Sequence, residues 1–155
     1  MKQQLIIFLF ALTPFLAFAQ SSSLDKVFLL GTEEQAYERY TGEYSQSLLE
    51  ATSGNITQAF EGWLDMQQAI DAYSQSQAYN LNGVKIWLHV FWGADGRIDH
   101  LGFLLRPDSR FVDTNELKVL LAGFIENYRF RITSGAKFSH YTGATFPTLS
   151  QRKSD

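Results

Sequence analysis

The chain contains no cysteine. That absence excludes disulfides, a thiolate nucleophile, thiolate metal ligation and a lipid-modified cysteine near the N-terminus, so the fold must be held by its core alone. There are three prolines, Pro14, Pro107 and Pro147, and they are too scattered to form a stiff spacer. Basic charge is also scarce: the net charge is −3, which gives no electrostatic reason to bind nucleic acid or anionic lipid. Ser45, Ser109 and Ser139 lie in no Gly-x-Ser-x-Gly elbow, which leaves a serine hydrolase unsupported. Gly93 and Gly96 are followed by a strand pattern where a phosphate cradle needs a helix.

One long apolar run is present, Leu5 to Ala19, preceded by Lys2 and closed by Ala17-Phe18-Ala19. A basic start, a short apolar centre and a small-x-small site read as a secretory signal peptide over residues 1–19, cleaved near Ala19. The expected location is periplasmic or secreted, with membrane contact only through an uncleaved signal. Residues 20–155 then form a single α+β domain. Aromatic residues make up 15% of the chain, and in a domain without disulfides they are expected to serve the packing.

Residues 20–31 read as a lead-in with Val27 to Leu30 as an apolar anchor, and residues 32–78 as a helical hairpin. Thr32 with Gln35 fits a helix start, and Tyr37, Tyr40, Tyr44 and Leu48 at helical spacing predict a first helix from Glu33 to Ala51. Asn55 caps a second, whose stripe is Ile56, Ala59, Phe60, Trp63, Leu64, Ile70 and Tyr73. Val84 to Trp92 and Arg97 to Leu105 alternate as strands about an Asp95-Gly96 hairpin turn. A four-residue loop would set Trp92 opposite Arg97 and His89 opposite His100. One face then carries Ile86, Leu88, Val90, Leu101, Phe103 and Leu105. The other carries Trp87, His89, Phe91, Ile98, His100 and Leu104, so helices are expected on both. Asp113 with Glu116 opens a third helix through Leu117, Leu120, Leu121, Phe124, Ile125 and Tyr128. Tyr128 to Ile132 and Lys137 to Phe146 read as closing strands, and residues 147–155 as a tail.

Gly83-Val84, Asp95-Gly96-Arg97-Ile98 and Asn115-Glu116-Leu117, in a β-β-α-β order over residues 84–146, resemble the C-terminal domain of TonB-type energy transducers. The chain departs from that family in its cleavable-looking signal and its missing proline-rich spacer. Where the family has Trp-x-Pro-Gly, it has Tyr128-Arg129-Phe130-Arg131. The resemblance implies a non-enzymatic periplasmic domain that binds a periplasmic or outer-membrane protein partner. It does not imply coupling to an inner-membrane motor.

Paired histidines at 89 and 100 invite a zinc reading, but Asp99 points to the opposite face and no third ligand follows, so packing beside Trp87 explains them better. Glu61, Asp65 and Asp71 lie on the polar side of a helix, where solvation accounts for them more simply than acid–base catalysis. Tyr37, Tyr40 and Tyr44 are expected in the core. Neither a catalytic group nor a cofactor is indicated. The partner-binding expectation falls on an exposed last-strand edge: Lys137, Phe138, Ser139, His140 and Tyr141. The alternative is a small apolar ligand carrier, its pocket between helices and sheet near Trp63, Trp87, His89, Phe91 and His100.

Overall fold

The computed structural model describes residues 24–148; the expected signal peptide and most of the expected tail lie outside them. Mixed α+β architecture is borne out, with a five-stranded sheet and four helices. In chain order the elements are β1 (Val27–Leu29), α1 (Glu34–Glu43), β2 (Gln46–Ser47), α2 (Leu48–Ala51), α3 (Ile56–Ser76), β3 (Lys85–Trp92), β4 (Ile98–Leu105), α4 (Thr114–Asn127) and β5 (Phe138–Thr145). The strands lie in the order β1-β4-β3-β5-β2. The long strands β4, β3 and β5 are antiparallel, while the short β1 and β2 add in parallel at the two edges.

The hairpin of helices is replaced by a different arrangement. The first helix stops at Glu43, because Tyr44 leaves the helical path and its hydroxyl donates to Asp99 Oδ2 at 2.8 Å. Thr32 does not cap it; its hydroxyl donates to the Leu29 carbonyl at 2.7 Å. After Tyr44 the chain pairs briefly with β5 as β2. It then turns into α2 through a capping box, in which Glu50 N–H donates to Ser47 Oγ and Ser47 N–H donates to Glu50 Oε2. This passage carries the chain round the edge of the sheet. Tyr44 belongs to a small cluster on one face, with Leu24, Phe28, Ala36 and Phe91, whereas Leu48 joins the main core on the other.

α3 therefore lies beside α4 on the main-core face, and of the described helices α1 alone covers the opposite one, together with Leu24 and Phe28. Asn55 Oδ1 accepts from Gln58 N–H at 3.0 Å and starts α3 as expected. Asp113 Oδ1 likewise accepts from the Asn115 and Glu116 amides at the head of α4. Trp63, Met66 and Ile70 of α3 and Leu117, Leu121 and Phe124 of α4 pack on Ile86, Leu88, Val90, Trp92, Leu101 and Phe103. Gly123 permits the close approach of the helices: a Cβ there would collide with the Tyr73 hydroxyl.

The hairpin register also differs from expectation. The connection is one residue longer than expected and pairs Trp92 with Ile98; a bulge between Phe91 and Trp92 then pairs Phe91 with His100 and sets His89 opposite Gly102. Ile98 thereby joins the main core, and the two histidines are not a facing pair. Arg129 makes one isolated bridge to Arg97 in place of the strand expected over Tyr128 to Ile132.

Candidate functional site

β5 is the element that decides what surface the molecule offers. On one side it pairs with β3 along its whole length, from Phe138 opposite Trp92 to Thr145 opposite Lys85. On the other, β2 covers only Phe138 and Ser139. Beyond Ser139 no described strand pairs with this side of β5. Phe146 N–H donates inward to the Val84 carbonyl, and Arg106 N–H reaches the Lys85 carbonyl on the far side of β3. Antiparallel alternation then turns the N–H and C=O of Tyr141, Gly143 and Thr145 outward, an open edge of roughly 14 Å.

Along that edge, on the main-core face, runs an open groove of about 850 Å³. β5 gives it His140, Thr142, Gly143 and Thr145; α3 gives Ile56, Ala59, Phe60, Trp63, Leu64 and Gln67; the α2 turn adds Leu48 and Leu49. None of its lining residues is charged at neutral pH except insofar as His140 titrates, and burial pushes that imidazole below its ordinary value. The His140 ring meets Trp63 edge-on at 5.0 Å between centroids. Ile56 is 73% and Phe60 62% exposed. The expected stripe of α3 thus divides: Trp63 and Ile70 enter the core, while Ile56 and Phe60 form a bare apolar shelf beside an unpaired strand.

The opposite face of the edge has different chemistry. Tyr141, 51% exposed, lies nearly parallel to Trp87 with ring centroids 5.9 Å apart. The Arg106 guanidinium sits 5.3 Å over Trp87. Its Nε and Nη2 bind Asp108, which also takes Lys85 Nζ at 2.9 Å. Its Nη1 comes within 3.7 Å of the place a Cβ on Gly143 would fill.

Of the five residues expected on the edge, only His140 and Tyr141 stand on the open stretch. Phe138 is fully buried against Trp92, Ser139 Oγ donates to the Tyr44 carbonyl at 3.0 Å, and Lys137 Nζ lies 4.7 Å over the Tyr44 ring. The pocket expected from Trp63, Trp87, His89, Phe91 and His100 is not assembled. Trp63 is on the main-core face and the other four are on the α1 face, where Phe91 is fully buried. His89 Nδ1 shares a hydrogen bond with the Tyr37 hydroxyl at 2.8 Å, and burial drops its pKa to about 4. His100 Nδ1 is 3.2 Å from the Asp25 carbonyl and its ring packs on Tyr40.

Glu61 and Asp65 are exposed and pair with Arg131, but Asp71 is buried and accepts the Thr148 N–H at 2.9 Å. Among the described residues no group of three His, Asp or Glu side chains could hold a metal, and no helix is long and apolar enough to cross a membrane.

Comparison of the chain with protein-family models, with curated proteins and with solved structures gives no match. The groove and the edge must be read on their own chemistry. One signal in the sequence points to them. Over 139–145 neither parity of β5 carries a large aliphatic residue, as suits a strand left at an edge rather than buried between neighbours.

Proposed function

We propose that this chain is a non-enzymatic domain, secreted or periplasmic, that binds a protein partner by adding an extended segment of it to the open edge of β5. The observation that carries the reading is the pairing of β2, which ends at Ser47 and leaves Tyr141, Gly143 and Thr145 with outward amides and carbonyls beside an apolar shelf. Such an edge takes main-chain hydrogen bonds from any extended peptide, and pockets for alternate side chains supply selectivity. The β3-β4-α4-β5 order is in keeping with the TonB-type C-terminal domain that the sequence resembles, and it supports a partner-binding role of that general kind. The signal-like N-terminus supports the location.

Replacing Gly143 by proline removes one outward N–H and leaves the inward ladder intact. With a photo-crosslinker at Thr145, a partner's extended segment is expected to be captured by the native edge and lost in Gly143→Pro. Equal capture by both proteins would sink the reading.

The volume and neutral lining of the groove favour a second reading, a small apolar ligand carrier, because open volumes of this order hold drug-sized molecules. The same variant separates the two. An apolar ligand resting on Phe60 and Trp63 needs no amide at residue 143 and would bind Gly143→Pro unchanged.

A further inference from the structure

We infer that the segment taken by β5 alternates apolar residues with polar ones and carries an acidic side chain opposite Gly143. This rests on the strand-addition reading and specifies its partner.

An added strand alternates its side chains between the two faces of the sheet. On the main-core face they enter a groove walled by Ile56, Phe60 and Trp63, where an uncompensated charge would be desolvated and apolar groups are favoured. On the other face the neighbours along the edge are Tyr141, Gly143 and Thr145. Gly143 presents no side chain, so a residue opposite it can reach across to the Arg106 guanidinium, whose Nη1 lies over that gap. Asp108 already binds the other two nitrogens of Arg106 and also Lys85, so two cations share one carboxylate. A second carboxylate arriving at Nη1 balances the charge and makes a charge-assisted hydrogen bond. A lysine there would face Arg106 and Lys85 together.

Other occupants fit less well. The C-terminal residues Leu149 to Asp155 offer one apolar residue and an Arg152-Lys153 pair, and Gln20 to Ser23 are all polar. A second copy paired antiparallel about Gly143 would set glycine against glycine and bring no carboxylate to Arg106.

The test uses the purified protein and two labelled heptapeptides, Val-Thr-Val-Glu-Val-Thr-Val and the same sequence with lysine for glutamate, followed by fluorescence anisotropy. The glutamate peptide is expected to bind, and the lysine peptide to bind about fivefold more weakly, the upper range for a solvent-accessible ion pair. Arg106→Gln is expected to bring the two affinities together. If both peptides bind the native protein equally and Gly143→Pro abolishes both, the acidic preference is wrong and strand addition stands. If neither binds, or if binding survives Gly143→Pro, strand addition itself fails and this inference with it. Sedimentation that finds a dimer dissociated by Gly143→Pro would assign the edge to a second copy and overturn the inference. Thr145→Pro, which also removes an outward N–H, replaces Gly143→Pro if that variant does not fold.

Discussion

Two tyrosines of α1 and a third just past its end meet polar or ring partners far away in sequence: Tyr37 meets His89, Tyr40 meets His100 and Tyr44 meets Asp99. Their spacing reads as one helical stripe because tyrosine alone does not say whether its ring or its hydroxyl sets its position. The partners that decide are non-local, and so no local pattern announces the break at Tyr44. His89 is the most consequential of them. Its folded pKa, about 4, lies below the 6.5 of an unhindered imidazole, so the unfolded chain takes up the proton first. The stability that follows from keeping His89 neutral is complete above pH 6.5 and is lost as pH falls from there towards 4. The urea midpoint of the native protein is expected to drop more between pH 7 and pH 4.5 than that of His89→Gln. Equal drops would show that the imidazole contributes nothing to acid sensitivity.

At the scale of elements, the helices that carry their own caps and stripes were legible. Asn55 starts α3 and Asp113 starts α4 where the sequence places them. Strands β3 and β4 were legible too, since Val84 to Trp92 and Arg97 to Leu105 flank an Asp-Gly turn and are rich in apolar and β-branched residues. Their register was not, because a longer turn and a bulge between Phe91 and Trp92 together move the partner of His89 from His100 to Gly102, two residues on. The edge of β5 was only half legible. Its exposure depends on where β2 stops, and β2 is two residues long and set by long-range pairing. α1 is the weakest of the three longer helices: Ala36 is its one buried residue and its N-cap makes no side-chain hydrogen bond. In native-state hydrogen exchange α1 is expected to open at lower free energy than α3 and α4, without unfolding the sheet. Tyr44→Phe should widen that difference by about 1 kcal/mol, the usual worth of one hydrogen bond. Amides of α1 that exchange only with global unfolding would refute this.

For the molecule as a whole, a core without disulfides depends on how closely its layers meet. The larger layer joins α3 and α4 to the sheet, and at Gly123 the two helices meet through the Tyr73 hydroxyl. Gly123→Val adds a branched side chain where one hydroxyl already fills the space, and is expected to lower stability by about 1–3 kcal/mol. Chemical denaturation reads this directly. An unchanged midpoint would mean that the two helices separate freely there.

The capping box at Ser47 and Glu50 has a role beyond starting a four-residue helix. β2 runs parallel to β5 and heads straight along its open edge, and only the turn at Ser47 diverts it. Leu48 and Leu49 would otherwise continue as the next residues of an added strand, in the place a partner segment would take. The open stretch of β5 is therefore kept by the hydrogen bonds between Ser47 and Glu50 and by the burial of Leu48 in the main core, and the chain holds its own competitor one turn of helix away from the edge it leaves free.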